Sequence, residues 1–316
     1  MKVWYHVYGL YVVANRAIDG LLTAVDHPAC PDVTLSIDDA PRSDFAGDLT
    51  YESPFRDVHG QPCLRAWRTG HRFRLSYSGA TEFLISTDAG LVSARWTGGR
   101  SPDEISYYLL GPVLGLLLRC RGVLCLHACA IRLGSHAIAI TGPIASGKST
   151  IAAAFASSGN PVISEDLVPL RESSGVFWVS PGYSRVRLWP DSVASLFGSP
   201  EALPRLMPDW EKRYLELTGS NAFCPETTPL TAVYILEERC CSPGAPRITE
   251  VPPREKIWAL AANTYANYLL DSAMRAQEFQ SLGRLVNTVP VRRITPHSDP
   301  SRVAALCELI RRDVAT

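Results

Sequence analysis

Near its middle the chain reads Ala137-Ile138-Ala139-Ile140-Thr141-Gly142-Pro143-Ile144-Ala145-Ser146-Gly147-Lys148-Ser149, an apolar run followed at once by a glycine-rich turn. Residues 142–149 fit the pattern G-x-x-x-x-G-K-[ST]. Its glycines let successive backbone N–H groups point into one concavity, which suits phosphate oxygens. The apolar run predicts a strand, and the alanine-rich residues 151–156 predict a helix. This order predicts a site for a purine nucleoside triphosphate, expected to be ATP, with Mg²⁺. A glycine-rich turn that binds nothing is the alternative.

The residues of this loop have separate predicted roles. The ammonium of Lys148 reaches the β- and γ-phosphates, and the hydroxyl of Ser149 ligates Mg²⁺. The positive end of the following helix adds to the attraction. The nucleotide is expected to contact Gly142, Ile144, Ala145, Ser146, Gly147, Lys148, Ser149 and Thr150.

Two adjacent acidic residues follow the next short apolar run, 161–164. Glu165 and Asp166 come seventeen and eighteen residues after Lys148. We expect their strand to lie beside the phosphate loop, so that its carboxyl end faces the γ-phosphate. One carboxylate can then hold Mg²⁺ while the other accepts a proton from an attacking hydroxyl. The alternative is a pair of solvated acids in a turn.

An isolated histidine and two tyrosines are harder to interpret. His127 lies twenty-one residues before Lys148, in the strand that precedes the loop strand. A histidine in an apolar strand is more often a satisfied core residue than a functional one. Tyr265 and Tyr268 have helical spacing with Leu269 and Leu270, which favours a place in the core.

Taken together, these segments resemble the catalytic domain of HPr kinase/phosphorylase. The closer similarity is to the HPr-kinase-like proteins of bacteria, some of which modify lasso peptides and other small substrates. The resemblance is strong over residues 105–190 and weaker to about 290. It rests on Leu126-His127-Ala128, Ala139-Ile140-Thr141-Gly142, Gly147-Lys148-Ser149 and Ser164-Glu165-Asp166, with further likeness in Tyr8-Gly9-Leu10 and Arg187-Leu188-Trp189-Pro190-Asp191.

The resemblance implies an α/β fold similar to the nucleotide domain of phosphoenolpyruvate carboxykinase. It also implies that His127, Lys148, Ser149 and Asp166 form the active site, with Asp166 as the base and His127 orienting or tuning it. Where the family has Asp-Asp, this chain has Glu165-Asp166, so the carboxylate on the metal side is one methylene longer. The late signature that HPr kinases need for phosphorolysis is not identified, and the reverse activity is therefore not assigned.

Basic residues in the second half offer weaker candidates for substrate contacts. Arg187 is spaced to reach a phosphate or the acceptor, or else is a surface arginine on a strand. Arg213 and Arg254, with Lys212 and Lys256, are candidates to recognise a carboxylate, for which arginine is the better clamp. Solvated helix faces are the alternative.

Composition limits the remaining possibilities. The 316 residues carry 31 basic and 31 acidic side chains, and 46% of the residues are hydrophobic. Because 316 residues are more than one ordinary core fills, we predict two domains. The first is a β-rich domain over residues 1–100 and the second a catalytic domain over 101–316. A balanced charge argues against nucleic-acid and anionic-membrane binders. The longest apolar run, 107–118, is too short to span a bilayer.

The nine scattered cysteines form no C-x-x-C pair and favour a reduced, cytosolic interior.

Together with the resemblance, the motifs predict a kinase that phosphorylates a hydroxyl, expected to be a serine, of a peptide or small protein such as a ribosomally made peptide. The alternative is an ATP-binding regulatory module that hydrolyses ATP slowly and has no acceptor. Under both hypotheses we expect no membrane partner, and the chain could form a homo-oligomer.

Overall fold

The computed structural model describes residues 2–38, 45–88, 90–96, 102–207 and 210–315. The chain divides into two compact units, Met1–Gly122 with Ala266–Arg275, and Val123–Tyr265 with Ala276–Thr316. The predicted domain boundary at 100/101 lies outside the described residues. In the described part of the chain, no helix is both long enough and apolar enough to cross a membrane.

The first unit is a sheet of eight strands among its described residues. They are β1 (Val3–Val7), β2 (Leu10–Ala14), β3 (Val33–Ile37), β4 (Asp48–Glu52), β5 (Arg65–Thr69), β6 (Arg72–Tyr77), β7 (Thr81–Ser86) and β8 (Leu91–Trp96), in the order β1-β2-β3-β8-β7-β6-β5-β4. The β-rich character is as predicted, and the strands are not all antiparallel. Strand β3 runs parallel to both β2 and β8. The apolar run that begins at Val3 is a hairpin, because Tyr8 and Gly9 take positive φ angles of 58° and 71°.

A buried helical segment follows and contains the apolar run 107–118. It consists of α1 (Pro102–Tyr108), a π-helical turn (Leu109–Val113) and α2 (Leu114–Cys120). The π turn coincides with Pro112, which has no N–H to donate to the regular ladder. This segment belongs to the first unit.

The second unit is an α/β structure built around a mixed sheet. Its described strands are β9 (Leu124–Leu133), β10 (His136–Thr141), β11 (Val162–Ser164), β12 (Leu167–Ser173), β13 (Val176–Val179), β14 (Arg185–Leu188), β15 (Arg213–Glu216), β16 (Thr228–Leu236), β17 (Arg247–Glu250) and β18 (Val291–Thr295). Its helices are α3 (Lys148–Ser157), α4 (Pro190–Phe197), α5 (Pro253–Ala261), α6 (Ser272–Thr288, which starts in the first unit) and α7 (Val303–Ala315). Strands β14 and β15 form a separate two-stranded sheet.

Strand β10 leads into the loop at 142–147 and is buried on both faces. Ile138 and Ile140 belong to the cluster that contains Phe155 of α3 and Ile310 of α7. The alternate residues of β10 belong to a second cluster, which contains Leu282 of α6. Helices therefore cover both faces of this strand, which explains why it reads as a continuous apolar run.

One expectation about the sheet needs correction. Strand β11 does not lie beside the loop strand; it pairs antiparallel with β9, which lies between β11 and β10. The parallel neighbour of β10 is β16, nearly a hundred residues later in the chain. Strand β12 continues along β9, with Leu167 opposite His127. Residues 165–166, between β11 and β12, are thus brought to the end of β10 through β9.

Candidate active site

The loop between β10 and α3 has a backbone that few sequences allow. Gly142, Ala145 and Gly147 have positive φ angles of 152°, 63° and 105°. A Cβ atom on Gly142 would lie 3.0 Å from the carbonyl oxygen of Leu236, and one on Gly147 would lie 2.9 Å from the guanidinium of Arg239. Gly142 is therefore favoured by conformation and by space, and Gly147 by conformation, since the Arg239 side chain could move.

Lys148, the first residue of α3, points back over this loop. Its Nζ donates hydrogen bonds of 2.8 Å to the carbonyl oxygens of Gly142 and Pro143. Burial lowers the pKa of Lys148, while nearby negative groups, including Asp166 and Glu165, act to raise it. Ser146 Oγ is buried without a hydrogen-bond partner among the described residues. An ammonium bound only to carbonyls and an unpaired buried hydroxyl are what a phosphate-binding loop offers to its ligand.

Ser149 and Glu165 form a compact pair of oxygen donors. Ser149 Oγ donates to Glu165 Oε1 at 2.7 Å. The other oxygen, Oε2, accepts from the hydroxyl of Tyr183 at 3.0 Å and from Nε of Arg187 at 3.3 Å. Glu165 is only 4% exposed, so this pair is shielded from solvent. A hydroxyl and a carboxylate are hard donors of the kind that Mg²⁺ takes, so this pair fits the predicted metal position.

Asp166 occupies a strained turn between β11 and β12. Its φ angle is 67°, and Leu167 N donates to Glu165 O at 2.8 Å, which makes Asp166 the central residue of a γ-turn. Such a conformation costs on the order of 1–3 kcal/mol and is concentrated at functional sites. Aspartate and asparagine tolerate it better than most residues.

Three side chains hold the Asp166 carboxylate. Its Oδ2 accepts from Arg187 Nη2 at 2.9 Å and from the hydroxyl of Tyr265 at 3.1 Å, and its Oδ1 lies 3.3 Å from His127 Nε2. Burial acts to raise the pKa of Asp166, but the charge of Arg187, the contact with His127 and the charge of Lys212 outweigh it and hold the pKa well below its usual range. Asp166 is therefore an anion with a fixed orientation and a quarter of its side chain exposed.

His127 is placed at this carboxylate rather than in the core. It lies on β9 with 29% of its side chain exposed, and its ring meets the ring of Tyr265 edge to face at 6.0 Å. Thr141, the last residue of β10, donates to the His127 carbonyl at 3.0 Å. The strand that carries the loop and the strand that carries His127 are thus tied together at the site.

The other predicted contacts are only partly brought together. Thr150 hydrogen bonds to Ser192 at 2.8 Å, and Arg187 bridges both carboxylates. The contacts described for Arg213 are instead with the carbonyls of Pro200 and Glu211, and that side chain is 4% exposed. Arg254 is 88% exposed, and its described ion pair is with Glu255 at 3.9 Å.

The sequence analysis did not assign two tyrosines to the site, and it named Lys212 only as a secondary candidate. Tyr265 was expected in the core, Tyr183 was not considered, and Lys212 was weighed below Arg213. Strand alternation would have distinguished Arg213 from Lys212: Arg213, the first residue of β15, pairs with the buried Leu188 and is itself 4% exposed, whereas Lys212 precedes the strand. For the tyrosines, the sequence holds no such signal.

A pocket opens on the other side of the phosphate loop. It is lined by Ser146 and Thr150, by Arg239 after β16, and by His297 and Arg302 after β18. The loops that follow β16, the parallel neighbour of β10, and β18, the parallel neighbour of β16, therefore enclose space next to the glycine-rich loop, where part of a nucleotide could lie.

Comparison with known proteins adds a similarity among solved structures. No family model matches the chain, and no curated protein matches its sequence. Among solved structures, the HPr(Ser) kinase/phosphatase from Coxiella burnetii is similar over 60% of this chain and 95% of that chain, with 12% sequence identity and a TM-score of 0.35. A TM-score this low carries no conclusion about family or activity, so the function has to be inferred from the geometry of the site.

Proposed function

We propose that the protein is an ATP-dependent kinase that phosphorylates a hydroxyl, expected to be a serine, of a peptide or small protein. One observation carries the proposal. Asp166 is an oriented, ionised carboxylate adjoining a phosphate loop, while its neighbour Glu165 is engaged with the loop hydroxyl of Ser149. This is the division of labour that phosphoryl transfer requires.

The nucleotide is held by backbone amides of residues 143–149 and by Lys148, which exchanges its bonds to loop carbonyls for bonds to phosphate oxygens. Ser149 and Glu165 would hold Mg²⁺, which would neutralise phosphate charge during transfer. The pocket beside Arg239 takes the nucleoside.

Transfer then requires little besides positioning and charge neutralisation. The acceptor oxygen bonds to the γ-phosphorus as the bond from that phosphorus to the β–γ bridging oxygen breaks, and its electron pair leaves with ADP. Asp166 takes the hydroxyl proton. Arg187 and Tyr265 keep one oxygen of that carboxylate occupied, and His127 orients the other.

The test compares the wild type with Asp166→Asn. Asparagine fits the positive φ and can still accept from Arg187, so the fold is retained. Both proteins are incubated with γ-labelled ATP, Mg²⁺ and an extract of the source cell that includes its small peptides. We expect label in a defined species with the wild type, and at least ~100-fold less with Asp166→Asn, because general-base catalysis contributes that much. Binding of a fluorescent ATP analogue should be as tight in the variant as in the wild type.

The alternative is an ATP-gated regulatory module. Equal release of free phosphate by both proteins, with no labelled acceptor, would favour that module over a kinase. Phosphate-dependent removal of label from the acceptor would point to phosphorolysis instead.

A further inference from the structure

Strands β14 and β15 carry a strip of cations and aromatic rings away from Asp166. Leu188 pairs with Arg213 and Arg187 with Tyr214, so side chains alternate between the core and the opposite face. Val186 and Leu188 are buried in the core. Arg187 therefore lies on the other face, and Trp189, two residues on with an extended backbone, shares it.

The outer end of this strip is exposed and cationic. Lys212 Nζ lies 5.1 Å from the centre of the Trp189 ring, and that ring is 54% exposed. Lys212 makes no ion pair with any acidic side chain in the described part of the chain, and the adjacent Glu211 is paired with Arg205. Trp189 follows by two residues Arg187, whose Nη2 lies 2.9 Å from Asp166 Oδ2, so this exposed end of the strip adjoins the site.

Lys212 thus differs from the other cations of the site. Lys148 is bound to the phosphate loop, and Arg187 is shared by Glu165 and Asp166. The half-buried Lys212 makes no ion pair with either carboxylate among the described residues, and its ammonium lies beside the exposed Trp189 ring. A cation next to an exposed aromatic ring suits a peptide that carries a carboxylate.

We infer that Trp189 and Lys212 form an acceptor subsite, at which Lys212 binds a carboxylate of the peptide and Trp189 supports its chain. The inference rests on the kinase activity proposed above. Arg187 and Trp189 are two residues apart on one strand face, about 7 Å. An extended peptide covers that distance in about two residues. In this subsite the carboxylate, whether a chain end or an acidic side chain, would lie within a few residues of the phosphorylated hydroxyl.

The test uses paired pools of short synthetic peptides, randomised except for one serine. One pool has that serine at a free carboxyl terminus and its partner has a terminal amide; a second pair has aspartate or asparagine after an internal serine. Transfer from γ-labelled ATP is measured for the wild type, Lys212→Gln, Lys212→Arg and Trp189→Leu. Arg312→Gln and Trp258→Leu are the matched controls, since these exposed side chains lie on α7 and α5.

The wild type should favour at least one carboxylate pool over its neutral partner by about tenfold in kcat/KM, as a charge-assisted contact would. Lys212→Gln should bring this ratio close to one while leaving the KM for ATP unchanged, and Lys212→Arg should restore part of it. Trp189→Leu should raise the KM of both pools alike. The control variants should keep the wild-type ratio.

Two results would overturn the subsite. Equal transfer to charged and neutral pools by the wild type would show that no carboxylate is recognised. A rise in the KM for ATP in Lys212→Gln that matches the rise for peptide would assign Lys212 to the nucleotide. Failure of the proposed function has another signature, namely hydrolysis of ATP with no transfer to either pools or extract, and the subsite then falls with it.

Discussion

Arg187 is the side chain on which the charge balance of the site depends. Its guanidinium is 8% exposed and bridges two adjacent carboxylates, with Nε 3.3 Å from Glu165 Oε2 and Nη2 2.9 Å from Asp166 Oδ2. Arg187→Gln would remove the positive charge and leave both anions in the same partly buried space. Removing one partner of a buried ion pair costs about 3–5 kcal/mol. Because Asp166 keeps some solvent contact, we expect the lower end, about 3 kcal/mol of unfolding free energy at pH 7.

The pH dependence of stability and of ATP turnover should change in the same variant. The folded-state pKa of Asp166 is depressed, so its contribution to stability is present above the unfolded-state pKa and is lost as the pH falls toward the folded-state value. In the wild type, Asp166 therefore stays ionised throughout the ordinary assay range, and ATP turnover should show no acidic limb from this group. In Arg187→Gln the pKa rises, and an acidic limb should enter that range.

The measurements are guanidinium unfolding at pH 7 and pH 5 and a pH–rate profile of ATP turnover, each for the wild type, Arg187→Gln and Arg187→Lys. The lysine variant keeps a charge but cannot bridge both carboxylates, so its stability should fall between the other two. An unfolding free energy for Arg187→Gln within about 0.5 kcal/mol of the wild type would refute the reasoning, because a surface substitution costs no more than that. A pH–rate profile of Arg187→Gln that shows no acidic limb in the assay range would refute it as well.

Three further predictions concern the surrounding residues. Lys148→Ala should abolish binding of a fluorescent ATP analogue without unfolding the protein; retained binding would contradict the assignment of the loop. Tyr265→Phe removes one of the hydrogen bonds to Asp166 Oδ2. The value of kcat should therefore fall several-fold with the KM for ATP unchanged. A purely structural role would instead lower stability and leave kcat unchanged. Burial raises the pKa of the Cys129 thiol to about 12. Iodoacetamide at pH 8 should therefore modify the exposed Cys241 but not Cys129 until the protein is unfolded. Mass spectrometry of the peptides measures the modification of both cysteines.

The sequence predicted the parts of the site that depend on local chemistry. A strand at His136–Thr141, the glycine-rich loop and a helix near Ser149 follow from spacing within a dozen residues, and the structure contains all three. The order of the strands could not be obtained in this way. Strand β10 pairs with β16, and nothing in either segment specifies that partner.

The environment of Asp166 depends on contacts between distant parts of the chain. Tyr265 is ninety-nine residues away and Arg187 twenty-one. Tyr265 reaches the carboxylate because the chain before it follows β9, where His127 N donates to Asn263 O and Tyr265 N donates to Cys125 O. A tyrosine at helical spacing beside leucines is indistinguishable in sequence from a core residue. Its role comes from a backbone path that no local pattern encodes.

Strain and charge at Asp166 work in the same direction. A γ-turn at a non-glycine residue persists only when its surroundings hold it, and here Arg187, Tyr265 and His127 all hold the carboxylate. The same contacts that keep the turn in place lower the pKa, which makes Asp166 a weak base for a free hydroxyl. A weak base is sufficient when the proton leaves late, after bonding to the phosphorus has made the acceptor hydroxyl acidic, as a loose transition state requires. The site is thus arranged to orient the acceptor and to stay charged, rather than to generate a strong nucleophile in advance.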